Sequence, residues 1–251
     1  MTYLKEQMPW QEVLTSLCLF GIIIAAMAFF FIHDKSTKEQ QAAKTPFLST
    51  ITPVIKNSQN WLTGAYIALL NLPIVILGSL WGILYLTQAK SLPEPQAATM
   101  ISLLFISAII GSPLLSWLAT ISEKSIKIMQ ASALICLASI ILLMLPSISS
   151  TYFTAPLIIL LGLFSSAQVL GYPLIVKSNH EAVKATALGL SSILVMSGGA
   201  LIRPLYGWII ELSSQTTSGE ITTYSHTYAM CLLPAAFLLA FFLSLRSEHT
   251  L

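Results

Sequence analysis

Seven apolar runs, at residues 13–32, 62–86, 97–118, 126–145, 153–176, 185–210 and 228–245, limit what this chain can become more than any other feature. Each is long enough to cross the roughly 30 Å hydrocarbon layer of a bilayer as one helix of about 20 residues. The chain holds 12 Lys and Arg and 10 Asp and Glu, and of these Arg203 alone falls inside a run, apart from Lys127 at the very start of the fourth. At 9% charged residues, against about 25% in a soluble domain, it cannot cover a water-facing surface. The expected fold class is therefore an all-α membrane protein with seven transmembrane helices, its main partner the lipid bilayer. The same composition excludes a disordered polymer, a basic nucleic-acid binder and a disulfide-stapled secreted domain, given a net charge of +2 and 3 cysteines.

The spacing of the runs suggests three parts: 1–33, a first transmembrane helix with a short outer N-terminus; 34–60, a polar cytoplasmic linker; and 61–251, a six-helix bundle. The runs on either side of Ser122, Glu123 and Lys124, and of Pro146 to Tyr152, are joined by tight turns. Leu14 to Ala28 has the look of a signal-peptide core. The apolar run continues through Phe29 to Ile32 without a basic leader, however, so an uncleaved anchor is expected. Lys35, Lys38, Lys44, Lys56, Lys124, Lys127, Lys177, Lys184 and Arg246 fall on one side, and Lys5 and Lys90 on the other. Basic loops stay in the cytoplasm. That places the N-terminus outside and the C-terminus in the cytoplasm, in a bacterial inner (plasma) membrane.

Searches for common catalytic and metal-binding patterns return nothing. Cys18, Cys136 and Cys231 lie within runs without paired spacing, and His33, His180, His226 and His249 sit scattered at run ends. Gly198 and Gly199 lie mid-run, where small residues let helices approach. No metal, no cofactor and no enzyme activity is expected.

What remains is polarity at membrane depth, which is costly unless it faces the bundle interior or a water-filled cavity. Gly64, Asn71, Gly78 and Tyr85 recur every seven residues in the second run, the spacing of one helix face. Ser165, Gln168 and Tyr172 step by three and four in the fifth. Gly189, Ser192, Met196, Gly199, Arg203 and Tyr206 form a similar ladder in the sixth. The glycines suit helix packing, whereas Asn71 and Gln168 suit packing or a site equally. Arg203 either snorkels to the surface or faces a cavity. Pro73, Pro173 and Pro204 each remove an intrahelical hydrogen bond and invite a kink.

Gly111-Ser112-Pro113-Leu114-Leu115-Ser116-Trp117-Leu118-Ala119-Thr120, followed by Ser122-Glu123-Lys124, resembles the short cytoplasmic loop motif of the major facilitator superfamily. Ser116 stands where Gly is usual and Thr120 where Asp is usual, which weakens the expected charge latch. Trp61 to Leu86 with Pro73, and Ala187 to Gly207 with Gly189, Gly198-Gly199, Pro204 and Gly207, are similar to helices of the family's C-terminal half. Pro9-Trp10 through His33-Asp34 is similar to the last helix of its N-terminal half. The resemblance implies a secondary carrier moving a small polar solute or organic anion by alternating access. Arg203, Asn71, Gln168, Tyr85, Tyr172 and Tyr206 would be its solute-binding residues, and Gly111, Ser116, Thr120 and Lys124 its gating loop. It also implies that a second polypeptide or a second copy supplies missing N-terminal helices, or that the chain is truncated. No Asp or Glu lies inside a run, so a proton-coupled carrier would keep its titrating carboxylate elsewhere. Two alternatives stand beside this one: a seven-span receptor, whose retinal form would need a lysine that 228–245 lacks, and a regulatory membrane subunit without transport.

Overall fold

The computed structural model describes residues 10–31, 47–146, 150–215 and 223–248, and among these no strand occurs. Two units are distinguished, 1–46 and 47–251. In the first, helix α1 (Trp10–Phe31) is apolar on every side, with Phe20, Ile22, Phe29 and Phe31 all exposed. A helix of this kind requires an apolar solvent. Its polar exceptions hide themselves: Thr15 and Ser16 donate to the carbonyls of Gln11 and Glu12 one turn back, both at 2.8 Å.

The second unit is a helical bundle. It opens with α2 (Phe47–Lys56) and α3 (Ser58–Leu70), which continues through α4 (Leu72–Ile76), a π-helical turn (Leu77–Trp81), the short α5 (Gly82–Leu84) and a second π-helical turn (Tyr85–Ala89). Then follow α6 (Glu94–Ser122), α7 (Ser125–Met144) and α8 (Thr151–Ser165), the last running through a 3₁₀ turn (Ser166–Leu170) into α9 (Gly171–Lys177). A 3₁₀ turn (Glu181–Val183) leads into α10 (Lys184–Gln215), and α11 (Thr223–Met230) and α12 (Leu232–Glu248) end the bundle. Among the described residues six helical segments are long and apolar enough to cross a membrane, and the bent pair Ser58–Leu70 and Leu72–Ser79, taken as one span, brings the total to seven. These match the seven runs.

Part of the expected linker is helical instead. Residues 34–46 lie outside the described residues, but 47–56 form α2, with Val54 buried. The polar Asn57-Ser58-Gln59-Asn60 stretch is a helix start, not a loop. The Asn57 side chain accepts from the Gln59 N–H at 3.0 Å and so caps α3.

Within the bundle the second span packs against the sixth and seventh, the third against the fifth, and the fourth against the fifth and seventh. Two second-span tyrosines ride on the fourth span, Tyr66 Oη donating to Met129 O at 2.8 Å and Tyr85 Oη to Leu143 O at 3.2 Å. The third and fifth spans cross at backbone contact twice, since a Cβ at Gly111 would overlap Leu163 and one at Gly162 would overlap Ser107 and the Leu104 carbonyl. The turn after α6 is as tight as expected: Glu123 takes the left-handed conformation, φ 54°, in the cap position that glycine usually fills.

Gly162→Ala should therefore wedge the third span from the fifth and lower stability by about 1–3 kcal/mol, the usual range for overpacking. Gly189→Ala, where a Cβ meets nothing within 4 Å, should stay within about 0.5 kcal/mol of the parent. Thermal unfolding in detergent compares the two, and equal midpoints would contradict the crossing.

Candidate functional site

Two spans are interrupted ahead of a proline, the second by a bend and the fifth, which stays one continuous span, by a 3₁₀ turn. Pro73 has no N–H for the Leu69 carbonyl four residues before it. The Asn71 N–H compensates by reaching both Ile67 O and Leu69 O, and the axis bends by 44°. In the fifth span Pro173 cannot serve Val169, and the Gly171 N–H bonds Gln168 O and Val169 O at the end of the 3₁₀ turn. The two breaks meet, because Gln168 Nε2 donates to Asn71 Oδ1 at 3.2 Å with both amides half-buried. One hydrogen bond uses a fraction of their capacity, leaving the Asn71 amide donors and the Gln168 carbonyl available.

The same turn of the second span holds the intramembrane cation. Val75 N–H bonds Asn71 O at 3.1 Å, and Arg203 Nε points at Val75 O at 3.4 Å. Trp81 Nε1 donates to Arg203 O at 3.3 Å, tying the sixth span to the second. The Arg203 side chain is exposed, and the one ion pair among the described residues joins Lys184 to Glu181. No described carboxylate neutralises Arg203.

The other expected site residues lie elsewhere. Tyr85 and Tyr206 are core residues, 1% and 0% exposed, the first bonded to the fourth span and the second stacked on Trp81 with ring centroids 5.1 Å apart. The seven-residue spacing presumes an unbroken α-helix, whereas a π turn closes its hydrogen bonds over one residue more. With one such turn before Tyr85 and a bend at Asn71, one face becomes four. Gly64 turns to Ser191 and Leu194 of the sixth span, Asn71 to Gln168 of the fifth, Gly78 to Phe105 of the third, and Tyr85 to Leu143 of the fourth. The α10 ladder also splits, since a straight helix slips about 20° per heptad. Gly189, Ser192, Met196 and Arg203 are exposed, while Gly199 abuts Val75 and Tyr206 is buried.

Tyr172 joins the loop motif instead of the amide pair. It lines a cleft of about 730 Å³ with Ser116, Thr120, Glu123, Ser125, Pro173 and Lys177. The hydroxyls of Ser116 and Thr120 donate to carbonyls one turn back, at 2.8 Å each. Lys124 lines an adjoining cavity of about 390 Å³ with Lys127 and Lys177. Gly111 sits apart, at the crossing with Leu163.

Two features escaped pattern reading. Asn60 and Asn179 form a reciprocal amide pair at 3.1 and 2.5 Å between the second and fifth spans, with Asn57 Nδ2 donating to Ser178 O at 2.9 Å. Nothing in the local spacing joins residues so far apart. The second did leave a signal, because the third and sixth spans share the pattern Pro-Leu-x-x-Trp, at Pro113 to Trp117 and at Pro204 to Trp208. Pro173 likewise stands one hundred residues after Pro73. Comparing the first three bundle spans with the last three would have paired the breaks directly.

A double-mutant cycle of Asn71→Ala and Gln168→Ala, read from unfolding in mixed micelles, should give a coupling energy of about 0.6 kcal/mol, with about 1.7 as the upper bound for interhelical bonds in a membrane. Strict additivity would separate the two amides.

Comparison with curated proteins returns no match. The family model described as Major Facilitator Superfamily matches residues 1–202. That match does not favour a receptor, and with seven apolar spans it describes an integral multi-pass membrane protein of a transporter family. Covering well over half of its length, the match shows that the chain belongs to the Major Facilitator Superfamily.

Proposed function

We propose that the bundle forms one wall of a secondary carrier, and that its solute is an organic anion or small polar molecule held at the turn shared by Asn71, Gln168 and Arg203. The observation that carries this reading is the uncompensated guanidinium tied to the break of a bent span. A planar guanidinium suits a carboxylate or phosphate, which it meets with two parallel hydrogen bonds. Broken helices at matching positions of two half-bundles are where carriers of inverted-repeat design place their substrate. The Asn71–Gln168 amides add donors and an acceptor for the neutral part of the solute.

Alternating access follows from the same parts. A rocking motion about the site needs helices that yield at mid-depth, and the breaks at Pro73 and Pro173 provide two that touch. The facing wall must come from protein outside the described bundle. At the loop end, the cleft around Ser116, Thr120 and Tyr172 serves as the gate, without the charge latch that an acidic residue at Thr120 would supply. The N-terminus lies outside, the C-terminus in the cytoplasm, and the membrane is a bacterial inner membrane. The distribution of lysines supports that orientation.

Uptake of radiolabelled organic anions by cells producing the chain with its natural partners tests the site. Arg203→Gln should reduce uptake at least about tenfold, the loss of roughly 1.4 kcal/mol of binding, with Arg203→Lys intermediate. Undiminished uptake in Arg203→Gln would remove Arg203 from the site. Reporter fusions after Lys44 and at the C-terminus should both read cytoplasmic, and a periplasmic signal at either would reverse the topology.

A further inference from the structure

Beyond Trp81 the second span ends in its second π turn, Tyr85–Ala89, and α11 lies against that turn. There His226 is buried, 1% exposed. Its Nε2 meets Gln88 Oε1 at 2.6 Å, and its ring stands edge-on to Tyr85 with centroids 6.5 Å apart. A glutamine carbonyl oxygen only accepts hydrogen bonds, so Nε2 carries the ring hydrogen and Nδ1 is the bare, protonatable nitrogen. That Nδ1 is buried without a hydrogen-bond partner, as is the hydroxyl of Tyr206 on the sixth span. Native structures leave few such atoms, and each calls for an explanation.

The neighbouring polar and ionisable groups are engaged or turned away. Tyr85 Oη is bonded to Leu143 O at 3.2 Å, and Lys90 Nζ, two residues past Gln88, is bonded to Leu145 O at 2.7 Å. From the sixth span Tyr206 stacks on Trp81, and Glu211 is exposed. On the seventh span, Cys231 Sγ contacts Thr227 O and Arg246 stands near the opposite end. None of the described carboxylates pairs with His226. The apolar runs contain no Asp or Glu, and His226, two residues before the last of them, carries a side chain that ordinarily titrates between pH 5 and 8.

We propose that His226 Nδ1 is a proton-binding site and that the His226–Gln88 contact is a latch between the seventh and second spans, closed while the ring is neutral and released when it takes a proton. An imidazolium needs an acceptor at each nitrogen, and the pocket supplies one, Gln88 Oε1. A proton on Nδ1 leaves a buried charge with half its hydrogen bonds unmade, which the ring escapes by turning to water. The sign is set by this: the latch holds at high pH and opens as pH falls through the imidazole range. It stands independently of the solute site at Asn71 and Arg203.

The test uses the full chain in neutral-lipid nanodiscs. The ¹⁵N resonances of His226, assigned by their loss in His226→Asn, should show a neutral ring with the hydrogen on Nε2 at pH 8 and take up a proton between about pH 7 and 5. Over the same interval, hydrogen exchange of Tyr85–Ala89 and Thr223–Met230, corrected for intrinsic rates, should rise about tenfold as the local structure opens. His226→Asn should abolish the pH dependence, and His180→Asn should preserve it. Gln88→Glu, which gives the imidazolium a carboxylate partner, should keep both segments protected at pH 5.5. A His226 that does not titrate above pH 5 in the unmodified chain overturns the proposal, as does an exchange rise that persists in His226→Asn.

Discussion

In hydrocarbon no water is at hand to satisfy a bare N–H or C=O, so every backbone polar group must find a partner within the protein. The described structure follows from this constraint more directly than from any contact between side chains. It requires helices throughout, and it makes any interruption of a helix expensive. The two interruptions at Pro73 and Pro173 persist because the N–H two residues before each proline turns back to the carbonyl that the ring has stranded. Serine and threonine obey the same rule on a smaller scale: Ser112, Ser116, Thr120 and Ser122 all bond carbonyls one turn back along α6. With their hydroxyls satisfied in this way, these residues add small volume without adding polarity.

What could be read from the sequence followed what is local and periodic. Seven apolar runs became seven spans because the length needed to cross a bilayer is an absolute scale, indifferent to packing. Asn71 and Gln168 could be singled out one at a time, since an amide amid aliphatic residues stands out in any window. That they bond each other could not be read without pairing the two prolines. Tyr85 and Tyr206 went astray for a physical reason: a phenol at depth is equally at ease facing a solute or donating to a neighbouring backbone carbonyl, as Tyr66 and Tyr85 do. The helix phase that would have decided between these depends on π turns, which leave no simple signature in residue type. The helix start at the end of the expected linker was legible in principle, because Asn57 followed by Ser58, Gln59 and Asn60 has the composition of a cap.

The fifth span is held to its two neighbours in different ways. The third and fifth spans meet through glycine at Gly111 and Gly162, with backbones in contact and no room to slide. The second and fifth meet through amides, at Asn71 with Gln168 and again at Asn60 with Asn179. Interhelical amide bonds in membranes are each worth about 1 kcal/mol or less net, because a separated amide finds other partners. The bundle thus combines a rigid seam and an exchangeable one, and the exchangeable seam is the one that joins the two proline interruptions.

Placement of charge completes the division. Lysines at the loop end line open cavities around Lys124, Lys127 and Lys177, where water screens them. Arg203 has no such outlet and leans on a backbone carbonyl at 3.4 Å, a long and weak contact for a cation. An anion arriving at Arg203 would displace only this weak contact. His226 has the opposite arrangement, with one short hydrogen bond and one bare nitrogen, so adding charge there breaks what exists. One group is stabilised by gaining a charged partner and the other is expelled by gaining a charge. The two proposed sites, for an anion at Arg203 and a proton at His226, therefore use different side chains and do not compete.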